Sequence, residues 1–273
     1  MKRLFRILVI GSLAALTSFS IWAQPATRLK PKTVEQFQAY IDGVEKDFET
    51  VTSKTGPAFW FGRLRSSVRQ EIMNGKISIE RNEKTPSISN GIIHDWSGAI
   101  FIPNVQARDV LELLTDYDRH QEVYDEVIES KTLGKSDDFA EGRLLLKKEK
   151  VLTVVLNTEH RAEFRRLGQK EWRIQSRSTR IAEVRDFGSV DQKELPVGRD
   201  SGFLWRLNAY WGIFGEKEGV IVACTTVSLS RDIPWGLGWV IGPFVESMPR
   251  ETLEDTLLAT RFALVKTSDR SGY

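Results

Sequence analysis

The stretch Gly219-Val-Ile-Val-Ala-Cys-Thr-Thr-Val-Ser-Leu-Ser-Arg-Asp-Ile-Pro234, read with the Ser247-Met-Pro-Arg-Glu-Thr252 that follows it, decides how this chain folds. Val220 to Leu229 is a β-rich apolar run of strand length. From Ser247 the period changes. A capping serine and a proline near the first turn open a segment in which Leu253, Leu257, Leu258, Phe262 and Val265 keep helical spacing. A helix is therefore expected from about Pro249 to Val265. Its apolar face has to be buried, and the surface on offer is the concave side of a curved sheet.

Upstream, further runs read as strands: Gly91 to Ile102, Val127 to Leu133, Phe139 to Lys148, Val151 to Phe164, Glu171 to Ser178, Ile181 to Phe187 and Gly202 to Trp211. Turn signals such as Lys135-Ser-Asp-Asp138, Leu167-Gly-Gln169 and Gly215-Glu-Lys-Glu-Gly219 separate several of them. Links this short make hairpins, whereas a parallel sheet needs long crossovers, so the sheet is expected to be antiparallel. Between the first two strands, Val110, Leu111, Leu113, Leu114 and Tyr117 follow helical spacing. The class is α+β, a curved antiparallel sheet wrapped around a long C-terminal helix, with an N-terminal helical appendage.

That appendage occupies residues 24–90. Val34, Phe37, Ile41, Val44 and Phe48 mark an amphipathic helix, Leu64 to Ile72 a second helical element, and Ile77 to Glu80 a short strand. The turn-rich Asn82 to Asn90 closes the region. The main domain is then 91–266, and 267–273 is a tail.

Met1-Lys-Arg-Leu-Phe-Arg6, an uncharged run from Ile7 and Ala23 before Gln24 have the layout of a secretory signal cleaved after Ala23. The competing reading is an uncleaved anchor, since about 20 apolar residues span a bilayer. Export implies a periplasmic or secreted protein. Losing Lys2, Arg3 and Arg6 lowers the formal charge of +2 by three, to −1. Interspersed charge of that size excludes the clustered basic face of a nucleic-acid binder. The sole cysteine, Cys224, rules out an intramolecular disulfide and reads as a small buried hydrophobe.

The three histidines, His94, His120 and His160, lack metal-type spacing, and no nucleophile elbow, phosphate loop or dinucleotide fingerprint occurs. No catalytic residue, metal ligand or cofactor is assigned. Aromatic residues are more informative: Trp205, Tyr210 and Trp211 fall in one strand region, and Trp235, Trp239 and Phe244 just before the last helix. Large rings either fill a core or line a ligand. The uncharged Pro234 to Pro243, rich in glycine, reads as irregular structure: a cavity mouth, a lid or a patch for transient contact with membrane lipid. Arg180 and Arg206 are candidates to orient a polar ligand group if they point inward, and are solvated otherwise.

Four passages carry a resemblance to a known family: His94-Asp-Trp-Ser-Gly98 with Phe101-Ile-Pro103, Leu113-Leu-Thr-Asp-Tyr-Asp118 before Val123-Tyr124, the strand series, and Leu229-Ser-Arg-Asp-Ile-Pro234 before the last helix. Over residues 91–266 the chain resembles the START-like helix-grip superfamily, also called SRPBCC, whose members include lipid-transfer, polyketide cyclase and coenzyme Q-binding proteins. The resemblance implies a sheet gripping the last helix around a cavity for an apolar ligand. The expectation is an exported binder or carrier of an apolar small molecule or lipid, with Trp205, Tyr210, Trp211, Trp235, Trp239, Phe244, Arg180 and Arg206 as candidate ligand residues. Two other readings stay open. One is a cyclase- or hydrolase-like enzyme pairing His94 or His160 with a carboxylate in the cavity, and the other is a packed interaction module.

Overall fold

An antiparallel register running from Ile92 opposite Ser230 to Pro103 opposite Gly219 joins the first long strand to the last. This pairing brings the two ends of the main sequence region together. The computed structural model describes the backbone of residues 27–52, 64–149, 153–233 and 238–270, and the side chains of these except 50–52, 238–244 and 267–270.

In chain order the elements are α1 (Pro31–Thr52), α2 (Ser66–Met73), β1 (Ser78–Arg81), β2 (Ile92–Pro103), α3 (Ala107–Thr115), a 3-10 turn (Tyr117–Arg119) and α4 (His120–Val123). They continue with β3 (Val127–Lys135), β4 (Phe139–Glu149), β5 (Thr153–Gly168), β6 (Glu171–Arg185), β7 (Lys193–Glu194), β8 (Arg206–Gly215), β9 (Gly219–Ser230) and α5 (Gly238–Arg270). Among the described residues the strands form one curved, unclosed antiparallel sheet in the order β1-β2-β9-β8-β6-β5-β4-β3, with β7 beside β6. This is the helix-grip arrangement. The free edge at β3 is blunted, because Gln121 and Asp118 side-chain oxygens accept the N–H groups of Ser130 (3.0 Å) and Thr132 (2.9 Å).

Both faces of the central strands are covered. On the inner face, Ile100, Val222, Trp211 and Ile174 pack with Val110 and Leu114 of α3 and Leu253, Leu257 and Leu264 of α5. Burying such a leucine contributes about 1.5–3 kcal/mol. At Gly98 the helix comes so close that a Cβ would stand 2.8 Å from Leu257 Cδ1. On the outer face, Phe37, Ile41 and Phe48 of α1 pack on Ile93, Trp205, Tyr210, Val227 and Leu229, while Ile72 of α2 packs on Phe101, Phe214, Ile221 and Ala223. Helix α1 and strand β1 are thus built onto the sheet itself, and the sheet extends across the turn-rich residues 82–90.

Four expectations change. Glu171–Ser178 and Ile181–Phe187 are not two strands but the single β6. The pairs Ser178 with His160 and Arg180 with Glu159 leave Thr179 as a bulge, which shifts the alternation and mimics a break in sequence. The strand expected from Gly202 begins at Arg206. The last helix runs from Gly238 to Arg270, so it takes in residues 238–243 of the segment read as irregular and part of the tail. Pro243 lies just beyond the first turn, where the helix gives up one backbone bond without ending. Finally, Phe262 is 70% exposed. The buried stripe of α5 is Leu253, Leu257, Thr260 and Leu264, and a residue five past Leu257 has rotated well off that face.

Candidate functional site

Residues opposite each other in a ladder share a face, so the register fixes two rows across the inner face. The first runs Gly142, His160, Ser178 on β4, β5 and β6, then Leu207, Ser228, His94 on β8, β9 and β2. Ser178 Oγ accepts the Leu207 N–H at 3.0 Å and joins the halves. The second runs Ala140, Ala162, Ser176, Ala209, Thr226, Trp96. Three side chains of the first row and five of the second are Gly, Ala, Ser or Thr. Such a floor reaches only a little way across the ~10 Å between packed layers.

Aromatic side chains from the α3–β3 connection stand over one end of this floor. The Tyr117 ring lies on Gly142, where a Cβ would be 2.0 Å from its Cγ, and its hydroxyl is hydrogen-bonded with Ser176. The His120 ring sits 4.8 Å from Tyr117 and 5.2 Å from Tyr124, centroid to centroid. Tyr124 donates to Thr260 Oγ1 of α5 at 3.1 Å, because the Thr260 proton is used on the Thr256 carbonyl at 2.8 Å. Burial pushes both tyrosines up to about 12. Tyr124 is half-buried and His160 is buried, with 7% of its surface accessible; in mid-sheet Ser176, Ala209 and Thr226 are half-buried as well.

Each histidine places Nε2 on an oxygen: His94 on Ser230 Oγ (2.9 Å), His120 on the Leu113 carbonyl (3.1 Å) and His160 on Thr158 Oγ1 (3.0 Å). Burial holds all three at about 4, assisted by the charge of Arg81 at His94 and by His120 at His160. At His120 the Leu113 carbonyl and Asp116 act in the opposite sense. They are neutral at pH 7. Their partners are hydroxyls and a carbonyl, so the histidine–carboxylate pair of the enzyme reading is not formed among the described residues. Burial also pushes the Cys224 thiol up, which keeps it inert.

The structure distributes the five candidate ligand residues whose side chains it describes over both faces. Trp205 and Tyr210 lie under α1 on the outer face; Trp205 Nε1 donates to Asp200 (2.9 Å) and Tyr210 Oη to Glu45 (3.1 Å). Trp211 is on the inner face. Arg180, opposite Glu159, is ion-paired with Glu194 at the β7 edge. Arg206, opposite the outer-face Leu229, donates to the Trp205 carbonyl at 2.7 Å, and burial lowers its pKa. Trp235 and the side chains of Trp239 and Phe244 lie outside the described residues. The sequence reading missed the hydroxyl-lined floor. Its signal was present, as Ser176/Ser178 and Thr226/Ser228/Ser230 repeat at the strand period of two.

No family model matches the chain, and no curated protein matches its sequence. Solved structures to which it is similar include a fragment of a STAR-related lipid transfer protein from Xanthomonas axonopodis, at 19% identity and TM-score 0.47, covering 69% of this chain and 93% of that one. Zhui aromatase/cyclase from Streptomyces sp. R1128 is 13% identical at TM-score 0.41, over 66% and 95% of the two chains. Human STARD10 is 11% identical at TM-score 0.40, over 71% and 77%. The likeness is one of fold alone.

Proposed function

We propose that this protein binds and carries an apolar small molecule or lipid between the inner face of the sheet and α5. The observation that carries this reading is that Ser176, Ala209 and Thr226, small residues in mid-sheet on the face that α3 and α5 cover, are only half-buried. Small side chains on a covered face leave room beneath the helix for a ligand. Mixed lining, apolar with a few convergent polar groups, suits a small-molecule site. Trp211 contributes to it from the inner face, and the segment Trp235 to Phe244 is proposed as its mouth and as a point of transient membrane contact.

Native mass spectrometry of the purified protein, with solvent extraction, tests the reading. A stoichiometric apolar compound is expected; a protein that stays empty after exposure to a lipid extract would contradict it. The basic start, apolar run and Ala23-Gln24 junction support export with removal of residues 1–23. N-terminal sequencing of periplasmic or secreted material should return Gln24, and recovery only in membranes with Met1 intact would reject it.

A further inference from the structure

The hydrogen bonds of the three buried histidines fix which ring nitrogen is protonated. His160 Nε2 is 3.0 Å from Thr158 Oγ1, and that hydroxyl is itself 3.2 Å from the Leu144 carbonyl oxygen. A carbonyl only accepts. Both contacts are hydrogen bonds at once only if Thr158 gives its proton to Leu144 and His160 gives its Nε2 proton to Thr158. The same holds at His94, whose partner Ser230 donates to the Arg231 carbonyl at 3.2 Å, and it is direct at His120, whose partner is the Leu113 carbonyl. A neutral imidazole carries one proton, so in each ring Nδ1 is the bare acceptor. Among the described residues no hydrogen bond reaches these three Nδ1 atoms.

His94 and His160 lie in the same inner-face row, four strand spacings apart, or about 19 Å along the sheet at ~4.8 Å per spacing. Of the charged side chains on that face, Lys148 is engaged by Glu126 and Glu183 accepts from Ser201 N and Oγ (2.8 and 2.9 Å). Arg166 is exposed and donates to the Gly168 and Gln169 carbonyls, Arg81, Lys135 and Lys193 are exposed, and Arg185 is half-buried at the end of β6 opposite Lys193. Among the described residues the face thus offers histidine acceptors and no fully buried Lys or Arg.

We infer that the molecule taken up is neutral and carries a hydroxyl or N–H donor for a histidine Nδ1, and that fatty-acid-like anions are rejected. This rests on the carrier reading proposed above. A bare Nδ1 can receive a carboxylate only when the ring is protonated, and a group titrating at about 4 is charged in about one molecule in 10³ at pH 7.

Calorimetric titration of the purified protein with 1-dodecanol, methyl dodecanoate and dodecanoate separates the possibilities. Dodecanol should bind about tenfold more tightly than dodecanoate and several-fold more tightly than the ester, which has no donor. In H160F, or H94F if its ring is the one used, the advantage of dodecanol over the ester should vanish while the ester still binds. Long-range 15N–1H correlation spectra of the unmutated protein, which need no variant to fold, should show Nδ1 bare and Nε2 protonated in all three rings. Dodecanoate binding as tightly as dodecanol, or Nδ1 protonated in both His94 and His160, would overturn this inference alone. If none of the three probes binds, the carrier reading falls and takes it along.

Discussion

Beneath α1 the sheet presents Tyr210, Trp205 and Leu229, side chains that meet Phe48 and fill the layer; beneath α5 the same strands present Ala209, Ser176, Thr226 and Ser228, which fill little of it. The polar groups differ as well. On the outer side they lock helix to sheet: Glu45 accepts two bonds of 2.8 Å from Arg177 and one of 3.1 Å from Tyr210, and Asp95 accepts from Tyr40 at 2.6 Å and Asn82 at 3.0 Å. Burial pushes the Glu45 carboxyl up, but Arg177 and Tyr210 outweigh it and hold the group below its ordinary value. On the inner side, hydroxyls and neutral histidines bond with nearby hydroxyls and backbone groups and leave acceptors over. One face is closed by construction and the other is furnished.

Acid should produce the largest effect, and it acts through the inner face. The three histidines have folded values of about 4 against an ordinary 6.5. Their neutral, buried forms therefore stabilise the fold fully above pH 6.5, and that stability is lost as pH falls from 6.5 towards 4. Each contributes on the order of 3 kcal/mol, so a fall of several kcal/mol in unfolding free energy is expected between pH 7 and pH 4.5. Asp95 and Asp200, held above the ordinary carboxylate range by burial, work in the opposite sense. Denaturant titrations across this range check the slope, and a flat profile would mean the histidines are hydrated.

The outer face should give the next largest effect. Phe48→Ala removes a ring that is 1% exposed and should cost about 3–5 kcal/mol, with uptake of an apolar probe retained in whatever protein remains folded. Glu45→Ala leaves Tyr210 and Arg177 without their acceptor and should cost about 1–3 kcal/mol, again without a change in ligand preference. Loss of uptake in either stable variant would show that the two faces are not independent.

How far the sequence speaks to this comparison depends on the strand. From residue 91 onward the strands were readable because hairpin turns punctuate them. The hinge of the fold, α5 against the sheet, was readable at Leu253 and Leu257. The stripe was lost beyond them because Thr260, wholly buried, looks polar, and Phe262, exposed, looks apolar. The faces were not readable at all. In β9 nearly every residue is buried, since α1 and α2 cover one side and α3 and α5 the other, so alternation no longer separates inside from outside. Trp205 and Tyr210 therefore looked equivalent to Trp211, although the fold sends them to opposite sides. The candidate floor, made of small residues, draws no attention in a search for aromatic rings.

The smallest expected change is also the most direct test of the claim that the inner face holds room for a ligand. Ala209 and Ala223 lie on the adjacent strands β8 and β9, the first half-buried on the inner face and the second fully buried on the outer. Overfilling a packed core costs about 1–3 kcal/mol. The unfolding free energies of Ala209→Leu and Ala223→Leu should accordingly differ, with Ala223→Leu losing about that amount and Ala209→Leu losing less than about 1 kcal/mol. Equal losses in the two variants would mean that the inner face is packed as tightly as the outer, and would contradict the account.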